Sequence, residues 1–556
     1  MEIEEGHSRI HERIENGAYA GSLAMVESEQ DIALEDTDRI QGRSALVNNV
    51  KAASSLAGAI RSTLGPKGLD KMLVEADGSA IVTNDGVTVL ETAKVEHPTA
   101  RLLIDASSSQ DRAARDGTTT TVILVAELLQ NALELVRMGV HPSVIVNGYD
   151  LAVNESIGEL ERVAEVADRP QKSQVVGTSL QGKGDSSLCN LLATLAMEAA
   201  EALVDQEGGD DLERLRVKRL QVRQGSSMDS SLVNGLMLLK SRVDMATPAS
   251  SDGGVIAIVD GGLENKKLEI NASIEVEDTG VLQGFHDRAI ENLQASVGHL
   301  KSLGVDLLIA RDGVSDEAIP LLSKAGIVAY RRFERKDMEL LSKITGASSV
   351  RDVLSLKESD TGVFSRRSEE SIGEVKHTLI EGSMGGGMTL VVRGSSPAVR
   401  EESIRIFNDA IGVAFRLNRS PEILPGGGAI QAHLARFLRS YALKQSGREQ
   451  LAIEAYAAAM ESIPRILAEN GGRDPVDVIL SLAADQQEMG PWIGFNLDEG
   501  RNSDMKEAGV LEPLFVVRHA LSGSTEAAIS VLRIDDVLWA RTDPSTPDWK
   551  GEEFED

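Results

Sequence analysis

Cysteine is almost absent: Cys189 is the only one in 556 residues. A single thiol closes no disulfide within the chain and builds no thiolate zinc site, which excludes a cystine-stapled scaffold and fits a reducing compartment. Aromatic residues are scarce as well, at 3 %. The cores must then be built from Ala, Val, Ile and Leu, which favours helix-rich and α/β architecture over an aromatic-rich sandwich. Positive charge is in deficit: 57 Lys and Arg stand against 87 Asp and Glu, a net charge of −30. Such a surface repels nucleic acid and anionic membrane, so neither is expected as a partner. No uninterrupted apolar run approaches the roughly 18–20 residues of a membrane span. The acidic start MEIEEGHSRIHERIENG lacks the basic-then-apolar order of a secretory signal. A cytoplasmic location is expected.

What is present is ample apolar material. Hydrophobic residues make up 42 % of the chain, and the length suggests about three or four domains. Residues 1–38 read as an acidic segment of weak pattern; His7 and His11 stand at i, i+4 with no third ligand nearby, which predicts exposure. Leu46, Val50, Ala53, Leu56 and Ile60 share one helical face, and that helix should stop at Gly65-Pro66. Asp77-Gly78 between MLVEA and AIVTN signals a hairpin. Residues 118–138 and 143–167 read as helices. The middle of the chain alternates short apolar runs at 255–259, 306–310 and 326–330 with helical stretches, the rhythm of parallel strands in an α/β unit. Helical patterns return from Pro397 to about Leu482. A strand-like run spans 531–540, before a Pro-bearing acidic tail. Helical ends flanking an α/β middle suggest one domain built from both chain ends with another inserted into it.

Four short segments carry candidate chemistry. Thr63-Leu64-Gly65-Pro66-Lys67-Gly68 can present backbone amides to an anion, or simply stop a helix. Asp116-Gly117-Thr118-Thr119-Thr120-Thr121 opens a long helix, whose free amides suit phosphate while Asp116 suits the accompanying Mg²⁺; an Asp or Thr N-cap is the alternative. Pro425-Gly426-Gly427-Gly428 precedes another helix, though loops often hold such runs. Thr83-Asn84-Asp85-Gly86 follows the hairpin and could be a turn only. No GxxxxGK[ST], HExxH or GxSxG is present.

Together these segments resemble the group II chaperonins, the archaeal and eukaryotic-cytosolic branch of the chaperonin family. The resemblance rests on STLGPKGLDKMLVEADGSAIVTNDGVTVL (62–90), EHP (96–98), DGTTTT, GVHPSVIVNGYDLA (139–152), PGGGA (425–429), EAGVLEPL (507–514) and TEAAISVLRIDDV (525–537). It is dense over 39–185 and 385–540 and weaker over 229–384. It implies a multidomain α/β and α fold. The helical equatorial domain would come from 1–152 and 421–556, the small intermediate domain from 153–228 and 385–420, and the inserted apical α/β domain from 229–384. It implies ATP hydrolysis coupled to folding of unfolded client proteins, in two stacked rings of same-family subunits, about eight per ring, with a built-in lid at 281–303.

The same resemblance implies the site. Leu64, Gly65 and Pro66 lie beside the phosphates, with Gly117, Thr118, Thr119 and Thr120 opposite, and Asp116 holds Mg²⁺. Gly427 faces the nucleotide, Glu507 contacts ribose, Asn496 lines the adenine and Lys183 senses the terminal phosphate. Asp409 and Asp85 are the catalytic carboxylates at the attacking water. The chain departs from the pattern at Arg115, where relatives usually carry glycine, and at Gln431, where they are usually acidic. Arg115 can pair with phosphate or Asp116, or restrict the turn. No N-terminal strand for a neighbouring subunit is evident in 20–38. A structural ring subunit with weak hydrolysis and a small-molecule ATP transferase are the rival readings.

Overall fold

The computed structural model describes residues 37–74, 80–92, 95, 97–203, 216–264, 279–372 and 375–540. His7, His11, the Asp77-Gly78 turn and the acidic tail lie outside the described residues. The helix Arg43–Ile60 buries Leu46, Val50, Ala53, Leu56 and Ile60, the face its spacing predicts. It tightens into a 3₁₀ turn at Arg61–Thr63 and stops as Gly65 takes a φ of 86°. Helices Pro98–Ala114 and Pro142–Val163 both begin with a proline, whose missing amide costs nothing at that position. His97 and His141 cap them, each ring nitrogen accepting a backbone amide at 3.2 Å. The helix Thr118–Arg137 is long and apolar enough to cross a membrane. Here it is a core helix, packed against Arg43–Ile60 and Leu514–Leu532.

These helices share one large core with Ala429–Ala442, Glu449–Met460 and Ser462–Asn470. It is built almost wholly of Ala, Val, Ile and Leu, as the shortage of aromatics requires. Met460 and two tyrosines are the exceptions, and Tyr149 and Tyr456 meet edge to face at 5.4 Å. Each buried hydroxyl has a partner, the Leu128 carbonyl at 2.7 Å and the Thr525 hydroxyl at 2.8 Å, as buried polar groups require.

A second core gathers helices Arg169–Ser179, Ser186–Ala202 and Pro397–Arg419 over a three-stranded sheet ordered Val217–Val222, Met388–Arg393, Ser231–Asn234. Cys189 is buried there. Beyond it lies an eight-stranded sheet. Val328–Tyr330, Val305–Ala310 and Gly254–Val259 run parallel, and Gly362–Ile372, Val375–Gly382 and Leu236–Leu238 continue it antiparallel. Period-2 alternation sends Ala257, Val259, Leu308 and Ala310 to one face with the helix Thr279–Ser302. Ile256, Ile258, Leu307 and Ile309 go to the other, with Arg335–Thr345. Burial on both faces is why these strands read as continuous apolar runs. The chain thus passes from the helical core through the mixed core to the sheet, and returns the same way.

One expectation needs correction. The strand-like run at 531–540 is strand only in its second half, Asp536–Ala540; Val531 and Leu532 finish the helix Leu514–Leu532. Of the segment 20–38, residues 20–36 lie outside the described residues, and a strand begins at Thr37. Thr37–Gln41 pairs antiparallel with Asp536–Ala540, Thr37 opposite Ala540 and Gln41 opposite Asp536. The partner lies about 500 residues away along the chain, so no local pattern announces it.

Candidate nucleotide site

A cleft of about 300 Å³ opens where the helical and mixed cores meet. On one wall the turn after Thr63 is pinned at both ends: Thr63 Oγ1 donates to the Ile60 carbonyl at 2.8 Å, and Asn470 Nδ2 donates to those of Arg61 and Leu64 at 3.1 and 2.9 Å. Gly65, in the left-handed region, leaves no room for a Cβ beside Leu467. Leu64, Gly65 and Pro66 line the cleft.

The start of Thr118–Arg137 is another part of the lining. Its N-cap is Gly117, φ 77°, and no side chain caps the first turn. Asp116 Oδ1 instead accepts the Gly117 amide at 2.8 Å. The capping alternative therefore fails, and Gly117, Thr118, Thr119 and Thr120 present an uncapped helix N-terminus to the cleft, suited to phosphate. The second glycine run behaves alike: Gly427 and Gly428 have φ of 64° and 78°, and the helix Ala429–Ala442 has no side-chain cap. Gly427 lines the cleft.

Carboxylates gather beside Leu64–Pro66 and Gly117–Thr120, where Gly86 packs against Thr119 and Gly182 against Gly65. Asp85 lines the cleft, and its Oδ2 accepts from Thr88 N at 3.0 Å and Thr88 Oγ1 at 2.6 Å at the head of the helix Gly86–Thr92. This segment is thus a strand-to-helix junction rather than the hairpin's turn. Asn84 Nδ2 donates to the Gly182 carbonyl, tying the junction to the Lys183 loop. Lys183 lines the cleft and its Nζ donates to Asp409 Oδ2 at 2.8 Å. Asp409, on Pro397–Arg419, is not a wall residue itself and meets the cleft through that ammonium. Burial works against the Lys183 charge, yet Asp409, Asp116 and Asp85 outweigh it and hold the pKa well above its ordinary value. Burial raises Asp409 and Asp116 above the usual carboxylate range, with Lys183 opposing in both.

Two expected residues fall differently. Glu507, inside the single helical turn Met505–Ala508, is exposed and does not line the cleft. The carboxylate of that motif in the cleft is Glu512, on the strand Leu511–Pro513, pushed up to about 7 by burial and Asp116. Its signal in the sequence was an acid between two apolar strand residues. Asn496 lines the cleft, but its Oδ1 already accepts the amides of Asp498 and Glu499 at 3.0 and 3.2 Å. Phe495, Leu497, Ile463 and Leu467 add an apolar wall nearby. Arg115 pairs with Asp111 at 2.9 Å rather than with Asp116.

No group of three or more His, Cys, Asp or Glu among the described residues can hold a metal by itself. Asp116 is a hard oxygen donor at the uncapped start of the helix Thr118–Arg137. This donor set fits a Mg²⁺ that takes its other ligands from phosphate and water.

The model of the TCP-1/cpn60 chaperonin family matches residues 56–542. The chain belongs to that family. Its thermosome relatives place this chaperonin in the group II branch. It is 39 % identical to thermosome subunit alpha of Thermoplasma acidophilum over 92 % of this chain and 94 % of the relative. Identity is 38 % to thermosome subunit alpha of Methanothermobacter thermautotrophicus, over 93 % and 95 %. It is 37 % to the thermosome subunit of Methanocaldococcus jannaschii, over 93 % and 96 %. The chaperonin's mixed helical and sheet fold agrees with the multidomain α/β and α expectation.

Proposed function

We propose that this chaperonin chain is an ATPase subunit that encloses and folds unfolded proteins in a cytoplasmic double ring. The observation that carries the reading is the Lys183–Asp409 pair beside a cleft with an uncapped helix N-terminus. The phosphates of ATP would run between Leu64–Pro66 and the amides of Gly117–Thr120. Asp116, with phosphate oxygens, would hold Mg²⁺, which neutralises phosphate charge when bound. Lys183 then turns from Asp409 toward the terminal phosphate. The freed carboxylate, with Asp85, orients a water in line with the terminal phosphorus. The water oxygen bonds to phosphorus as the bond to the ADP oxygen breaks, and Asp409 takes the proton. A carboxylate held above its ordinary pKa suits that acceptance. Glu512, rather than Glu507, takes the ribose contact.

The passage of the chain through three cores supports equatorial (1–152 and 421–556), intermediate (153–228 and 385–420) and apical (229–384) domains. Asp409 belongs to the middle one, so its approach to the nucleotide couples hydrolysis to domain closure. Among the described residues, two small sheets, Thr37–Gln41 with Asp536–Ala540 and Lys71–Val74 with Ala80–Thr83, keep open edges. Leu69, Met72, Val74, Val82 and Leu538 are exposed on or beside them. This supports same-family neighbours in a ring. The test is ATP turnover by purified particles beside Asp409→Ala. Turnover lost with nucleotide binding kept supports the assignment; equal rates overturn it and leave the structural-subunit reading.

A further inference from the structure

Arg115 is one of two non-glycine residues with positive φ among the described residues. It ends the helix Pro98–Ala114 at φ 57°, ψ 14°, a conformation glycine adopts freely and a branched chain of contacts must justify. Its guanidinium pairs with Asp111 at 2.9 Å, while its Nε is buried without a hydrogen-bond partner. A side chain that keeps a strained backbone and an unmet donor is held there by something else.

That something is Gly412. A Cβ built on Gly412 would stand 2.5 Å from Arg115 Cγ and 2.9 Å from Arg115 Cβ, and the three nearest atoms all belong to Arg115. The stem of Arg115 thus fills the notch that Gly412 leaves in the helix Pro397–Arg419. Contact at the root of the side chain cannot be relieved by a rotamer change further out. Gly412 lies one helical turn beyond Asp409, and Arg115 immediately precedes Asp116. On the same helix, Arg219 Nε donates to Asn408 Oδ1 at 3.0 Å, holding the residue before Asp409.

The geometry points to Arg115 as a positioning residue for ATP hydrolysis: seated on Gly412, it docks the helix bearing Asp409 against the turn bearing Asp116. This rests on the ATPase reading above. Arg115 touches neither substrate nor metal; it sets the spacing between two groups that do. Its replacement should therefore lower turnover without weakening nucleotide binding, because the helix Thr118–Arg137 that carries the phosphate-binding amides is held by the helical core and not by Gly412.

The test is a double-mutant cycle on full-length particles, read by ATP turnover, fluorescent-nucleotide binding and hydrogen exchange over 397–419. Arg115→Gly keeps the left-handed turn, and Gly412→Ala pushes on the stem. Each should lower kcat about ten-fold with Kd for nucleotide unchanged, as small misplacements of catalytic groups do. Arg115→Lys, which keeps the stem, should retain most turnover. In the Arg115→Gly background, Gly412→Ala should cost nothing further. The same factor in both backgrounds, or full kcat in Arg115→Gly, overturns the proposal. Should the unsubstituted protein bind nucleotide and turn none over, the ATPase reading fails separately. The seat is then decided by exchange: faster exchange near Gly412 on Gly412→Ala only when Arg115 is present supports it, and equal effects in both backgrounds refute it.

Discussion

Lys183 Nζ and Asp409 Oδ2 lie 2.8 Å apart, joining the loop after Arg169–Ser179 to the helix Pro397–Arg419 beside the cleft. Their side chains are 20 % and 19 % exposed, so neither charge is fully solvated. Lys183 also faces Asp116 and Asp85, one cation among three carboxylates.

Lys183→Met should therefore destabilise the nucleotide-free protein by about 2–4 kcal/mol, the cost of leaving such carboxylates unpaired. The loss should be larger at about pH 8 than at about pH 5, because the stranded carboxylates can escape by protonation only at low pH. Adding Asp409→Asn should restore about 1–3 kcal/mol. Thermal unfolding of the four proteins of the cycle checks this; additive losses contradict it.

Glu512 gives the clearest pH signature. Burial first, then Asp116, raises it from 4.5 to about 7. A carboxylate raised on folding binds its proton more tightly in the native state, so its contribution is most favourable at low pH and is lost as pH rises toward 7. Glu512→Gln removes the penalty. Without nucleotide, the variant's stability advantage over the parent should grow by about 2–3 kcal/mol from about pH 5 to about pH 8, then level off. A flat difference across that window would show that Glu512 is not buried in its charged form.

Neighbouring glycines predict a contrast. A Cβ on Gly428, φ 78°, would lie 2.9 Å from Pro464 Cβ and 3.0 Å from its Cα. Backbone cannot step aside, so Gly428→Ala should cost about 2–4 kcal/mol. On Gly427, φ 64°, the nearest atom is Val510 Cγ1 at 3.5 Å, and the alanine should cost about 1 kcal/mol of backbone strain. Gly427 lines the cleft, so the milder variant should lose the more nucleotide affinity. Melting temperatures and nucleotide titrations separate the two; equal melting losses contradict the packing argument.

The local grammar of the site was readable because it is made of turns. Gly65 and Gly117 take the positive φ that their motifs imply, and Thr118 starts the helix that its apolar run announces. Placement across the fold was less readable. Glu507 and Glu512 occupy one short motif. Only the switch from the helical turn Met505–Ala508 to the strand Leu511–Pro513 decides which acid enters the cleft. The notch at Gly412 was invisible for the same reason: Arg115 and Gly412 sit on different helices, and nothing local to either names the other. The strand Thr37–Gln41 has no apolar alternation of its own, and its order comes from pairing with the opposite end of the chain.

The central claim is that ATP hydrolysis at this cleft drives folding. The most direct measurement is recovery of a chemically unfolded reporter enzyme by purified particles with Mg²⁺ and ATP, beside Asp409→Ala. Recovery should require ATP, and Asp409→Ala should bind nucleotide yet recover nothing above the spontaneous yield. Equal recovery without ATP, or by Asp409→Ala, would contradict the account.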